Sequence, residues 1–285
     1  MIRRLLFIGL LIQVSLLTSH ASGSLGLRFP WETESKPTWA AKGMAKFPTP
    51  TYKPPKARYY EVQGKGPYIA FTFDDGPRPW TNQVLDALKE RGLKATFYVV
   101  GTEALLYPKI VKRIADEGHE IGNHTMTHIL LNRDRNPPPM RIVEKEIRLA
   151  HEAIVKLTGI PPRTMRPPGG RFRPEQTRWM YDTFGYVDVR WSVDPGDGAR
   201  KKPSPDVFQR RVMSQVKDGA IILSHDLWKS TVAAIPDTLD ALLARGYEFL
   251  TISELLALDD PYEIVQFSDA ELQLIGEQES AAQSR

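Results

Sequence analysis

From about residue 66 onward, short apolar runs alternate with longer stretches in which apolar positions recur every three or four residues. The short runs predict strands and the periodic stretches predict helices. Tyr68-Ile69-Ala70-Phe71-Thr72-Phe73 reads as a buried strand, and Val84, Leu85 and Leu88 share one face of a helix over 81–91 that stops at Gly92. A strand over 95–100, a helix near 105–117 and a strand over 119–123 follow. After Pro137-Pro138-Pro139 a long helix carries Ile142, Val143, Ile147, Leu149, Ala150, Ile154 and Leu157 as its apolar set. A short strand at 164–166, a helix over 174–184 and a strand over 186–191 come next. Ser204-Pro205 then opens a helix to about 217, with an N-cap serine ahead of a proline at the first helical position. Strand 220–224, helix 231–245, strand 247–251 and a short helix at 253–257 complete the series. Strands alternating with helices predict an α/β domain on a parallel sheet, here a single catalytic domain over 66–257.

The flanks have a different texture. Arg3-Arg4, the apolar run from Leu5 to Leu17 and Ser19-His20-Ala21 form the pattern of a secretory signal peptide over 1–21, cut after Ala21. An uncleaved membrane anchor is the competing reading, but the polar residues within the run make it a poor span. Residues 22–65 are rich in proline with little periodicity, and predict a linker or an arm lying over the domain. Residues 258–285 hold seven acids and one base, a net charge of −6, so the rest carries +10 of the total +4. A basic body with an acidic tail suits peripheral contact with anionic cell-wall polymers or a membrane surface. Nothing in the pattern matches a nucleic-acid-binding module.

The chain has no cysteine, which excludes disulfides, thiolate metal sites and a cysteine nucleophile. Any metal must be held by histidine and carboxylate. In parallel α/β folds, active residues gather at the carboxyl ends of strands. Five polar clusters fall there: Asp74-Asp75, His124 to His128, Arg166-Pro167-Pro168-Gly169-Gly170, Asp194 to Asp197, and Ser224-His225-Asp226. Two adjacent carboxylates repel each other, and a bound cation, or one carboxylate acting as a base beside it, would offset the repulsion. An acidic turn without function is the plainer alternative. His124 and His128, four apart, face the same way on a helical turn and can grip one ion. Thr125 stands where a metalloprotease motif would have glutamate, so that reading fails.

Thr72-Phe73-Asp74-Asp75-Gly76-Pro77, His124-Thr125-Met126-Thr127-His128, Arg166-Pro167-Pro168, Asp194-x-x-Asp197 and Leu223-Ser224-His225 resemble the five ordered motifs of the polysaccharide deacetylases, carbohydrate esterase family 4 or the NodB-homology domain. The resemblance covers about residues 66–257 and implies a distorted (β/α)7–8 barrel. It further implies that Asp75, His124 and His128 hold a divalent metal, usually Zn2+, with Co2+, Ni2+ or Mn2+ as alternatives. Asp74 would be the general base toward a water activated by that metal, and His225 the general acid. Arg166 would orient Asp74, Asp197 would tune His225 with Asp194 as competitor, and the Gly169 N–H would face the oxyanion. The substrate implied is an N-acetylated polysaccharide or oligosaccharide.

Two residues depart from the family pattern: Gly169 where Tyr is common, and Gly198 where Trp often follows the fourth-motif aspartate. They predict a wider or reshaped sugar groove, with Pro167, Phe172 and Trp228 as its contact residues. The changed groove leaves O-acetyl ester hydrolysis on a polysaccharide such as xylan as an alternative, and a non-catalytic carbohydrate-binding protein as another. Two histidines and a carboxylate also suit ferrous iron in an oxygenase, against which the free Asp74 and His225 argue for hydrolysis.

Overall fold

The computed structural model describes residues 57–63, 66–132 and 137–259. The expected leader over 1–21, most of the proline-rich segment and all but the first residues of the acidic tail lie outside them. In chain order the elements are β1 (Arg58–Tyr59), β2 (Tyr68–Asp74), α1 (Thr81–Glu90), β3 (Thr96–Val99), α2 (Gly101–Leu106), α3 (Pro108–Asp116), β4 (Glu120–Asn123), α4 (Met140–Thr158) and β5 (Thr164–Met165). A 3-10 turn at Pro168–Gly170 precedes α5 (Pro174–Phe184), β6 (Val187–Val189), α6 (Pro205–Gln215), β7 (Ile221–Ile222), α7 (Lys229–Ala244), β8 (Glu248–Phe249) and α8 (Ile252–Ala257).

The strands run in the order β1-β6-β5-β4-β3-β2-β7, every neighbouring pair parallel, with β8 added to the start of β2. The open ends meet just past β6, where Val193 bridges Ile222 of β7. Ser192 N–H donates to the Ile221 carbonyl at 3.0 Å and Leu223 N–H to that of Val193 at 2.9 Å. That seam closes the sheet into a distorted barrel, as expected. β1 lies within the segment read as linker or arm, yet it pairs with β6 through Arg58↔Asp188 and Tyr59↔Val189.

Strand alternation decides what each side of the barrel holds. Along β2, Ile69, Phe71 and Phe73 face the helices, and Phe71, Phe73 and Phe97 stack in a row with centroids 5.1 Å apart. Val84, Leu85 and Leu88 of α1 complete that layer. Ala70, Thr72 and Asp74 take the other side, the barrel interior. Helices cover the outside, so β2 is buried almost throughout, which is why it reads as a continuous apolar run.

The helix expected near 105–117 is two helices. Tyr107 sits between them at φ −122°, ψ 55°. Pro108 has no N–H and crowds the residue before it, which pushes Tyr107 out of the helical region. Gly159 and Gly185 end α4 and α5 at φ 73° and 70°, a left-handed conformation glycine adopts without strain. Thr251 caps α8, its side chain accepting from Glu254 N–H while the Glu254 carboxylate accepts from Thr251 N–H at 2.7 Å.

Two buried histidines lie away from the carboxyl ends of the strands. His119 Nδ1 accepts from Ala95 N–H at 3.2 Å, and His151 Nδ1 lies 2.5 Å from the Tyr186 hydroxyl. Burial holds each at about 4, below the ordinary 6.5. The unfolded chain therefore takes up a proton near pH 6.5 that the fold refuses until pH 4. Their stabilisation is complete above pH 6.5 and is lost as pH falls toward 4. We expect the unfolding free energy to drop across that window with a slope of about 1.4 kcal/mol per pH unit per histidine. His119→Asn keeps an acceptor for Ala95 N–H without a titrating group, so the slope should fall by about one proton; an unchanged slope would remove His119 from the account.

Candidate active site

β2 delivers two carboxylates to the end of the barrel, and the backbone sends them to different partners. Asp74 closes the strand with its side chain inside the barrel, 3% exposed. Asp75 leaves the strand at φ 70°, a left-handed conformation that Asp tolerates better than most residues. Its Oδ1 lies 3.1 Å from His124 Nε2 and 2.9 Å from His128 Nε2.

The two imidazoles do not sit on a helical turn, contrary to the spacing-based expectation. They lie on an irregular loop after β4, with Thr125 at φ 68° and His128 at φ 58°. Side chains hold this strained path. Asn123 Oδ1 accepts from Thr125 N–H at 2.8 Å, and Thr125 Oγ1 accepts from His128 N–H at 3.1 Å. Glu146 on α4 accepts from both the N–H and the hydroxyl of Thr127.

One donor atom from each of Asp75, His124 and His128 fits within 4.8 Å of the others, the spread expected of ligands around one cation. The tautomer agrees. His124 Nδ1 lies 2.5 Å from the Arg166 carbonyl, which can only accept, so Nδ1 carries a proton and Nε2 is the nitrogen turned to Asp75, the one a cation would take. Burial opposes charge on Asp75, but hydrogen bonds from His124 and His128 outweigh it and hold the carboxyl well below the usual range. The hydrogen bond to Asp75 in turn raises His128 against its own partial burial. The negative field that attracts these protons is equally suited to a divalent cation.

Arg166 crosses the barrel interior, fully buried. Its Nη1 donates to Asp74 Oδ1 at 2.7 Å and Thr72 Oγ1 at 2.6 Å, while Nε and Nη2 donate to the Val189 and Arg190 carbonyls. The guanidinium lies 4.3 Å from the Tyr98 ring centroid. Asp74 is thus neutralised and aimed on one oxygen, and its Oδ2 remains 3.9 Å from His124 Nε2. Carboxylate and triad are neighbours, but the carboxylate is not spent on the triad.

His225 faces them from the end of β7. Its Nδ1 lies 2.9 Å from Asp197 Oδ1, and its N–H donates to Asp197 Oδ2 at 2.8 Å. That leaves Nε2 pointing at the site, 3.9 Å from Asp75 Oδ2. Burial works against the imidazolium, but the Asp197 hydrogen bond and the charges of Asp197, Asp74 and Asp75 prevail, pushing His225 up to about 9. Asp194 does not compete: exposed, it accepts from Gly196 N–H at 2.7 Å as a turn residue.

The groove residues divide. Gly169 sits in the 3-10 turn at φ 62°, and a β-carbon there would be strained and would crowd Leu130 at 3.2 Å. The Gly170 and Arg171 N–H groups are taken by the Pro167 and Pro168 carbonyls. Pro167 is buried, and Trp228 is 42% exposed at the start of α7. Phe172 is not a groove wall. It is 5% exposed and packs with Leu131, Val143, Ile147, Met165, Met180 and Tyr186, because the chain turns it inward ahead of α5.

Several working residues carried no expected role. Thr72, two positions before Asp74, shares its strand face and accepts from Arg166, a placement the period of two could have signalled. Tyr98 pairs in register with Asp74 across β3 and floors the guanidinium. Asp226, by contrast, belongs to the last polar cluster of the sequence as a flanking partner of His225; fully buried beside Gly76, it accepts from the Thr81 hydroxyl.

The profile of the family described as polysaccharide deacetylase matches residues 61–189. A peptidoglycan-N-acetylglucosamine deacetylase of Listeria monocytogenes is 38% identical over 188 residues, 66% of this chain and 38% of that protein, so the chain matches well under half the length of that relative. A chitooligosaccharide deacetylase of Bradyrhizobium is 34% identical over 70% of this chain and 95% of its own. Among solved structures, the Bc1960 peptidoglycan N-acetylglucosamine deacetylase, in complex with a naphthalenyl N-oxidanyl-benzamide, superposes with TM-score 0.65 at 30% identity over 76% of this chain and 95% of that one.

Removing one partner of a buried ion pair strands the other. Arg166→Met should therefore lower unfolding free energy by about 3–5 kcal/mol, measured by chemical denaturation. A loss below about 1 kcal/mol would mean that water or another group rescues Asp74.

Proposed function

The chain belongs to the polysaccharide deacetylase family, and from that premise we propose that it is an exported, metal-dependent hydrolase that removes N-acetyl groups from a polysaccharide. The polymer would be chitin-like, peptidoglycan or an exopolysaccharide. The observation that carries this reading is the placing of Asp74 and His225 on two sides of the Asp75-His124-His128 triad, each 3.9 Å from one of its members. Export rests on the charged, apolar and small-residue pattern over 1–21. Among the described residues no helix is long and apolar enough to cross a membrane.

Asp75, His124 and His128 would hold the cation, zinc in the first instance, with Co2+, Ni2+ or Mn2+ as alternatives. Bound there, the cation supplies Lewis acidity that acidifies water and polarises an acyl carbonyl. Asp74, with one oxygen fixed by Arg166 and the other free, takes the proton that the attacking water loses. The Gly169 N–H donates to the oxygen that becomes negative as the acetyl carbon turns tetrahedral. His225, charged and held by Asp197, gives its Nε2 proton to the departing nitrogen, so that acetate and a free amine leave.

With zinc supplied, the protein should release acetate from N-acetylated oligosaccharides, and Asp74→Asn should cut the rate at least about a hundredfold with metal content unchanged. Acetate from an acetyl ester alone would replace the amidase reading with an esterase. Full activity in Asp74→Asn would place the base elsewhere. The acid must carry its proton, so activity declines as pH rises through the His225 value. Asp197 lifts that value, hence Asp197→Asn should move the alkaline limb of the kcat/KM profile to lower pH, read from initial rates. A limb that stays in place would detach Asp197 from the acid.

A further inference from the structure

One lip of the candidate site is made of residues that the reaction leaves unused. After Asp197 the chain runs Gly198-Ala199-Arg200-Lys201-Lys202-Pro203 into α6. Gly198 backs directly onto the acid: a β-carbon there would lie 2.9 Å from His225 Cε1. Successive Cα atoms are about 3.8 Å apart, so Arg200 begins no more than two such steps from the residue touching the imidazole. Arg200 and Lys201 are exposed, and among the described residues no carboxylate pairs with them or with Lys202. The acids closest in sequence are engaged. Asp197 holds His225, Asp194 accepts from Gly196 N–H, and Asp206 accepts from the Ser204 hydroxyl and from Arg210.

Lys202 is held in place. Its Nζ lies 4.1 Å from the Trp228 ring centroid, a cation–π contact with the tryptophan expected to line the groove. One face of that ring is therefore taken by an ammonium group. Three adjacent cations without counter-charge, one of them fixed over an aromatic ring beside the acid, give this lip a positive potential directed at whatever lies in the groove.

We propose that Arg200, Lys201 and Lys202, with Trp228, form a subsite for an anionic group, a carboxylate or a phosphate, carried by a sugar near the one that reacts. The substrate is then an acidic glycan rather than a neutral one. This rests on the reading of the protein as a glycan deacetylase, and the test separates the two. Binding is measured by calorimetry with the zinc-loaded Asp74→Asn protein. The probes are a chito-oligosaccharide, an oligomer of equal length alternating N-acetylglucosamine with glucuronate, and an N-acetylglucosamine oligomer joined by phosphodiesters.

At least one acidic oligomer should bind about tenfold more tightly than the neutral one at 50 mM salt, and that ratio should shrink at 300 mM as screening grows. Whichever acidic oligomer leads identifies the charged group. Arg200→Ser with Lys201→Ser should reduce the ratio about fivefold. Equal affinities, or a preference that survives both high salt and the double substitution, would overturn the subsite. Acetate release by the unmodified protein is followed in parallel. Preference without release would leave the subsite standing and remove the deacetylase reading, whereas release without preference would do the reverse.

Discussion

The buried pairing of Arg166 with Asp74 is the constraint on which the rest depends. A guanidinium with no exposure inside a barrel costs a large desolvation penalty unless its N–H groups find acceptors. Here a carboxylate, a hydroxyl and two backbone carbonyls supply them, and a tyrosine ring lies against the guanidinium plane. Those acceptors come from β2 and from the chain at the end of β6, so Arg166 ties opposite walls together. The same residue offers its own carbonyl to His124 Nδ1 and so sets that imidazole's tautomer. One residue thus orients the proposed base with its side chain and a proposed metal ligand with its backbone.

Two adjacent carboxylates acquire different chemistry through backbone geometry. Were Asp75 to continue the strand, alternation would turn it to the helix side, among the phenylalanines. Its left-handed φ rotates it instead to the mouth, where two imidazoles meet it. Asp74 keeps the strand conformation and stays inside with Arg166. The mutual repulsion of the pair is met from two sides, by a fixed cation in the fold and by a site shaped for a mobile one. His225 completes the arrangement through a third carboxylate, Asp197, which is fully buried and holds both the imidazole and the backbone N–H of that histidine.

Much of this was legible in the sequence because it is local. The alternation of strands and helices, the carboxyl-end placement of five polar clusters and the glycine and proline boundaries follow from periodicity and turn chemistry. What was not legible depended on tertiary context. Pro108 was visible, but only the path of the chain shows that Tyr107 yields and splits the helix. The spacing of His124 and His128 suggested a helix, yet Asn123, Thr125 and Glu146 impose a loop that gathers the same two nitrogens by another route. Phe172 follows a run of glycines at the site, and nothing local says that it turns inward to pack with Met165 and Tyr186. Arg58 and Tyr59 lie in a proline-rich stretch, and only the edge of β6 draws them into the sheet.

The two glycines that depart from the family pattern act through the backbone as much as through the missing side chains. Gly169 occupies a left-handed turn where a larger residue would be strained and would meet Leu130. Gly198 lets its loop approach His225 so closely that even a methyl group would collide with the ring. A loop admitted that near brings its own sequence with it, and here the sequence is Arg200-Lys201-Lys202. Lost aromatic surface is therefore not simply replaced by open space. Lys202 settles over Trp228, and on the proposed subsite the side of the groove nearest the proposed acid would be polar and positive. Such a wall would discriminate by charge where an aromatic wall discriminates by shape, so in the proposed subsite the small residues at 169 and 198 would recast the groove without touching the atoms that would carry out the chemistry.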